Sequence, residues 1–147
     1  MVATVFDPSD VVTTILDTYM ATQNIALLPS LTTAQIQVVQ TGTPKGDLST
    51  IQLRLEVQKP LLQQVIDRGQ FQDYVYFITT NYQIVNGNYE DTHLLDRAIR
   101  ESVREYNNDN QFNKHFAKME AGTFGYNYET MKGSFVISVQ YMDEEFS

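Results

Sequence analysis

The segment Tyr74–Val85 has the sequence YVYFITTNYQIV, in which aromatic and β-branched residues occupy both alternating positions. Residues of these types favour β-strands, because their side chains pack well on a pleated surface. Their presence on both faces predicts a strand that is covered on at least part of both sides. We therefore expect residues 74–85 to form the central strand of a sheet.

Two further strands are predicted before the central strand. Residues 51–57 (IQLRLEV) alternate apolar and polar side chains, which is typical of a strand with one buried and one solvated face. Another strand is predicted near residues 35–41. The intervening TGTPKGDLS at 41–49 is rich in turn formers, so the sequence predicts a β-hairpin whose loop projects from the domain.

The sequence also predicts two long helices and one short helix. Asp7 followed by Pro8 is a helix-entry signal, and apolar residues recur at helical spacing over residues 8–23. Asn88 or Asp91 can cap a second long helix that extends to Tyr106. The apolar spacing of residues 61–66, closed by Gly69, predicts the short helix.

The C-terminal part predicts two or three strands, of which the strongest is Phe135–Met142. This order of elements predicts an α+β fold with an antiparallel or mixed β-sheet, on which two long helices and one short helix pack mainly on one face. A chain of 147 residues is long enough for one core. We expect residues 1–147 to form a single globular domain with a projecting hairpin near 41–49.

Charge and composition disfavour several functional classes. The formal net charge is −8, from 18 acidic and 10 basic residues, which would repel a polyanion and disfavours sequence-specific nucleic acid binding. The chain has no cysteine, so it can form neither a disulfide nor a thiolate metal site. No stretch is apolar enough to predict a signal peptide or a membrane span. We expect no membrane partner.

The sequence contains no recognisable catalytic, metal or cofactor motif. His93 and His115 have neither the HExxH pattern nor another ligand at helical spacing, so we expect both to be structural or surface residues. The glycines and lysine of residues 42–46 lack the spacing of a phosphate-binding loop. We predict no cofactor and no enzymatic activity.

Three groups of residues are candidates for a subunit interface. The hairpin loop offers polar side chains, the second helix presents a face of arginines, and the C-terminal strands carry aromatic side chains. Acidic neighbours make an ion-paired, solvated face more favourable for the arginines than a nucleic acid contact, and core packing is the alternative for the aromatic residues. The candidates are Thr43, Lys45, Asp47, Arg97, Arg100, Arg104, Phe124, Tyr126 and Tyr128.

The order of these elements resembles that of the tail-terminator and neck proteins of tailed bacteriophages. The likeness is carried by a capped first helix, a projecting hairpin, a long central strand, a second long helix and a strong last strand. These elements lie at 7–23, 35–57, 74–85, 90–106 and 135–142. The long segment 112–132 departs from a simple terminator, so the resemblance implies a terminator, a neck adaptor or another tail component.

The resemblance implies a homo-oligomeric ring, usually of six copies, that caps the tail tube or joins it to the head. DNA passes through such a ring, and an acidic wall would not retain it. The implied partners are further copies of the chain and tail tube or neck proteins. The implied location is the virion, after assembly in the host cytoplasm.

Two alternatives come from other functional classes. One is a small acidic binding or regulatory domain, such as an inhibitor or a DNA mimic, which clustered acids on one surface would favour. The other is an enzyme without a recognisable motif, which a deep pocket with convergent charged side chains would favour.

Overall fold

The computed structural model describes residues 7–87, 89–111 and 113–143, with only the backbone described at Asp143. The first helix begins as α1 (Pro8–Thr14) and continues in wider π-helical turns over Ile15–Gln23. Two short 3₁₀ turns follow at Ile25–Leu27 and Thr33–Gln35. The second helix, α2, spans Thr92–Asp109.

Seven strands form one mixed sheet, in the order β1-β2-β4-β7-β5. Strand β3 pairs with β4, and β6 pairs with β7, beside this path. Together with the two helices, the sheet makes the protein an α+β fold. The strands are β1 (Ile36–Gln40), β2 (Leu53–Val57), β3 (Leu61–Arg68), β4 (Phe71–Ile84), β5 (His115–Met119), β6 (Gly125–Asn127) and β7 (Lys132–Asp143).

Strand β4 organises the sheet because three other strands pair with it. On one side it pairs with β7 over the 12 residues from Gln72 to Gln83. On the other side, β2 pairs with the C-terminal part of β4 and β3 pairs with the N-terminal part. The 14 residues of β4 therefore support two separate neighbours along a single edge.

One face of the sheet carries the fully buried side chains. The register places Leu55, Tyr82 and Gly133 side by side on this face, and Ile78 beside Ile137. These residues form one core with the apolar residues of both helices. Hydrogen bonds from Tyr19 to Asp109 (2.8 Å) and from Asn24 to Glu105 (2.8 Å) join the two helices to each other.

The structure confirms the main predicted elements. Asp7 caps the first helix by accepting a hydrogen bond from the Ser9 N–H, and Asp91 caps α2 by accepting one from the Leu94 N–H. Asn88, the other predicted cap, lies outside the described residues. The predicted central strand 74–85 corresponds to β4, and the strong last strand corresponds to β7.

The predicted hairpin over residues 35–57 is wrong, because β1 and β2 are parallel. A parallel pair cannot be joined by a tight turn and needs a crossover of about a dozen residues. Residues 41–52 make this crossover, and hydrogen bonds from the Thr41 N–H to Val57 and from the Gln52 N–H to Gln35 join its two ends to the strands. The segment near 41–49 is therefore a return connection rather than a projecting hairpin.

The predicted short helix at 61–66 is also wrong, since these residues lie in β3. An isolated helix of about eight residues is marginal, whereas the edge of β4 offers backbone hydrogen bonds along its length. Gly69 does have a left-handed backbone (φ 76°), as expected, but it serves the β3–β4 turn and not a helix end. Residues 61–77 thus form an antiparallel hairpin of β3 and β4.

Gly133 is a point of close approach between β4, β6 and β7. A β-carbon at this position would collide with the carbonyl oxygen of Gly125 and with the ring of Tyr82. The absence of a side chain also allows the rings of Tyr82 and Tyr126 to stack with centroids 5.8 Å apart.

We predict that Gly133→Ala lowers the free energy of unfolding by about 1–3 kcal/mol, because the new methyl group must displace backbone or an aromatic ring. Urea unfolding followed by circular dichroism measures the change. Gly125→Ala is the matched control, since no atom lies within 4 Å of the site of its β-carbon. Equal stability of the two variants would contradict the assignment.

Candidate interaction surfaces

Strand β3 presents large apolar side chains to solvent on both faces of the sheet. Leu61 is 64% exposed, Leu62 is 48% exposed and Val65 is 45% exposed. On its inner side β3 pairs with β4, whereas its outer side pairs with no strand in the described part of the chain. An exposed apolar edge strand is a ready template for pairing with another chain. We call this surface, Leu61–Ile66, the β3 edge.

A buried carboxylate lies near the turn of the β3–β4 hairpin. Asp73 accepts hydrogen bonds from Arg68 Nε (2.7 Å) on β3 and from Gln140 Nε2 (2.8 Å) on β7. Ionised groups make stronger hydrogen bonds than neutral ones, so this contact ties three strands together. The hairpin is thereby anchored to the sheet although it extends beyond the core, whose first residue on β4 is Ile78.

The candidates Phe124 and Tyr126 lie together around Tyr82. The ring of Tyr82 stacks on both, and its hydroxyl donates a hydrogen bond to the Gly125 carbonyl oxygen (3.0 Å). Burial raises the pKa of the Tyr82 hydroxyl above its ordinary value. Phe124 and Tyr126 are half-buried and therefore act mainly as packing residues.

Tyr128 lies at the solvent-exposed end of the aromatic group formed by Tyr82, Phe124 and Tyr126. It is 70% exposed and meets Tyr126 edge to face, with ring centroids 4.7 Å apart. Met131, in the same turn between β6 and β7, is 40% exposed. We call Tyr128 and Met131 the tyrosine end.

The candidates Thr43, Lys45 and Asp47 are exposed on the 41–52 crossover, next to a buried arginine. Arg54 is only 6% exposed, and its guanidinium group donates to Gln37 Oε1 (2.9 Å), to Glu56 Oε2 (3.0 Å) and to the Thr43 carbonyl oxygen (3.4 Å). Hydrogen bonds from Gln58 and Arg54 lower the pKa of Glu56. Arg54 thus fastens the crossover to the sheet.

A polar cleft of about 320 Å³ lies beside Arg54. Its lining combines three cations with one carboxylate, in a chain whose overall charge is strongly negative. The lining residues are Lys45, Arg54, Glu56, Asn81, Tyr82, Gln83, Lys132 and Gly133.

The candidates Arg97, Arg100 and Arg104 are exposed on α2. Arg100 pairs with Asp96 (3.0 Å), and Arg104 pairs with Glu101. These are the ion pairs of a solvated helix face, and exposed pairs of this kind contribute little to stability.

The nine candidates do not form one site. The crossover residues lie by the cleft, and Phe124 and Tyr126 surround Tyr82, which also lines the cleft. The arginines occupy a separate helix face. Sequence reasoning missed the β3 edge and Met131. The Gly69-Gln70 pair between two apolar-rich runs is compatible with a hairpin, but it fits the end of a short helix equally well.

Among residues 7–87, 89–111 and 113–143, no group of three or more His, Asp or Glu side chains is placed to hold a metal ion. In the same part of the chain, neither helix is both long and apolar enough to cross a membrane. No known family model matches the sequence, and no characterised protein matches it.

We predict that Arg54→Lys lowers the free energy of unfolding by about 1–3 kcal/mol, because an ammonium group cannot reproduce the three directions of the guanidinium donors. The crossover should also become easier for trypsin to cleave after Lys45. Arg97→Lys, on the exposed helix face, is the control and should change stability by less than about 0.5 kcal/mol. Similar effects of the two substitutions would refute the role of Arg54.

His115 provides a pH-dependent prediction. Burial lowers the pKa of its imidazole, and the Tyr106 hydroxyl lies 2.7 Å from its Nε2. The unfolded chain, with a histidine pKa of about 6.5, therefore binds the proton more readily than the folded protein. The stabilisation is complete above that pH and decreases as the pH falls toward the pKa of the folded state.

We expect His115→Gln to reduce the loss of unfolding free energy between about pH 7 and pH 5. Urea titrations at several pH values measure this difference. His93→Gln, at an exposed position of α2, is the control. The prediction fails if the His115 variant keeps the pH dependence of the wild type.

Proposed function

We propose that this chain is a structural assembly subunit of a tailed-phage virion. It forms a homo-oligomeric ring at the end of the tail tube or in the neck that joins tail to head, and DNA passes through the ring. It contacts other copies of itself and tail tube or neck proteins, and it catalyses no reaction. Assembly takes place in the host cytoplasm.

The observation that carries this proposal is the presence of two different exposed apolar surfaces at opposite ends of the sheet. The β3 edge lies beside Phe77 and the residues before it, and the tyrosine end adjoins the pairing of Gln83 with Lys132. Gln83 lies six positions after Phe77 on β4, which corresponds to roughly 20 Å. Rings form through head-to-tail contacts, and these need two different surfaces on each subunit.

Charge and packing support the same proposal. With a net charge of −8, a ring of this chain would present little attraction to the phosphates of DNA in its channel. Within each subunit of the proposed ring, both helices and the short helical turns pack mainly on one face of that subunit's sheet, which is its buried face. The hairpin and the tyrosine end then stay free for neighbouring subunits.

We predict that the purified protein, alone or with isolated tail tubes, forms closed rings visible by negative-stain electron microscopy, with a native mass that is a multiple of 16.9 kDa. The double variant Tyr128→Ser/Met131→Ser should reduce ring formation at least about tenfold, because it removes two apolar contacts at each interface. Circular dichroism checks that it remains folded.

Gln70→Ser, an exposed polar position in the β3–β4 turn, is the matched control. The proposal is abandoned if the protein stays monomeric at high concentration and also fails to add to tail tubes.

A further inference from the structure

We infer that the β3 edge pairs, in antiparallel orientation, with the β3 edge of a second copy, about a two-fold axis that passes through Gln64 of both copies. This contact goes beyond the proposed ring, because a two-fold contact joins copies in pairs and cannot close a ring by itself. It uses the β3 edge alone, whereas the proposed ring contact needs both the β3 edge and the tyrosine end. One edge therefore makes one of the two contacts at a time, and a variant of the tyrosine end distinguishes them.

The first step is the assignment of β3 side chains to the two faces of the sheet. Leu61 lies opposite Phe77 and Leu62 opposite Tyr76, after which the register shifts and Gln64 lies opposite Val75. The shift makes Gln63 an extra residue, a β-bulge. Residues directly opposite each other in a ladder point to the same face, so the bulge changes the alternation of side chains along β3.

With the bulge included, the apolar residues of β3 form a palindrome. Leu61 and Ile66 share the face of Phe77 and Asp73, whereas Leu62 and Val65 share the face of Tyr76 and Tyr74. Gln64 lies midway between these two pairs. Without the extra residue, Leu61 and Ile66 would point to opposite faces and the symmetry would be lost.

When β3 of a second copy pairs antiparallel with this strand, the symmetric order of the apolar residues brings them opposite one another. Leu61 then meets Ile66 of the other copy on one face, and Leu62 meets Val65 on the other face. Each contact occurs twice, as an isologous two-fold interface requires. Cross-strand apolar pairs of this type stabilise sheets.

The neighbouring two-fold registers are less favourable. An axis through Val65 places Leu62 opposite Asp67 and Leu61 opposite Arg68. An axis through Leu62 places Leu61 opposite Gln64. Only the axis through Gln64 sets every exposed apolar residue of the edge against another apolar residue.

Charge and backbone chemistry agree with this register at the ends of the paired segment. Pro60 precedes Leu61 and has no N–H to donate, so the paired segment begins at Leu61. In this register Pro60 of one copy lies opposite Asp67 of the other and Lys59 lies opposite Arg68. Lys59 therefore comes next to the Asp67 carboxylate, and Arg68 is already paired with Asp73. Each end therefore brings together two cations and two carboxylates, which balance.

Disulfide cross-linking tests the register in this cysteine-free chain. Gln64→Cys should form a disulfide-linked dimer, because residues on the axis face each other within the Cα distance of a disulfide, about 7 Å or less. Leu61→Cys alone should cross-link at least about tenfold more slowly, since its two copies lie roughly 14 Å apart along the strands. A mixture of Leu61→Cys and Ile66→Cys should cross-link between the two variants.

Sedimentation of the uncross-linked protein provides an independent test. The wild type should show a concentration-dependent dimer, and Val65→Lys should weaken it by about tenfold or more, since a charge on an edge strand opposes pairing. Met131→Lys, at a similarly exposed apolar position in the tyrosine end, should leave this dimer unchanged. Thermal unfolding verifies that both variants are folded.

Two results would overturn the pairing. Cross-linking of Leu61→Cys alone as fast as Gln64→Cys would indicate a parallel or non-specific contact. Failure of both Gln64→Cys and the Leu61→Cys/Ile66→Cys mixture to cross-link would show that the edges do not meet. Sedimentation of Tyr128→Ser/Met131→Ser separates the two contacts, because a variant that forms no rings but keeps the wild-type dimer has lost only the ring contact.

Discussion

The structure depends on the antiparallel pairing of β4 with β7, which runs without a register shift from Gln72–Asp143 to Gln83–Lys132. This ladder places Ile78 beside Ile137 and Thr80 beside Phe135 in the core, and it aligns Tyr82 with Gly133 at one end. Backbone hydrogen bonds along this ladder continue past the limits of the core. Strands β2 and β3 pair with β4, strands β5 and β6 pair with β7, and β1 joins the sheet through β2.

The extension of β4 beyond the core explains the unusual exposure of β3. The core on β4 begins at Ile78, whereas β3 pairs with residues 71–77. The hairpin therefore has a strand partner and a buried anchor at Asp73, but no helix covers its apolar side chains. A monomer leaves about half or more of the surface of Leu61, Leu62 and Val65 in water, which is why we consider them contact residues.

The candidate surfaces were only partly predictable. Exposed arginines on α2 and an aromatic group at the C-terminal strands follow from composition and spacing. In the structure the arginines are exposed on α2, and the aromatic side chains lie around Tyr82. The β3 edge could not be separated from a short helix, because Leu61, Leu62, Val65 and Ile66 fit a helical period as well as a bulged strand. Only the partner strand distinguishes the two, and the bulge at Gln63 has no local signature.

The sequence by itself determined the long elements: the capped first helix, α2, the central strand and the last strand each carry enough periodic residues to define their type and buried face. The tertiary structure alone decided that β1 and β2 are parallel and that residues 61–68 form a strand. The physical reason is that side-chain periodicity records which face is buried, whereas strand direction and pairing depend on backbone hydrogen bonds to distant segments. Those partners, above all the free edge of β4, exist only once the sheet has formed.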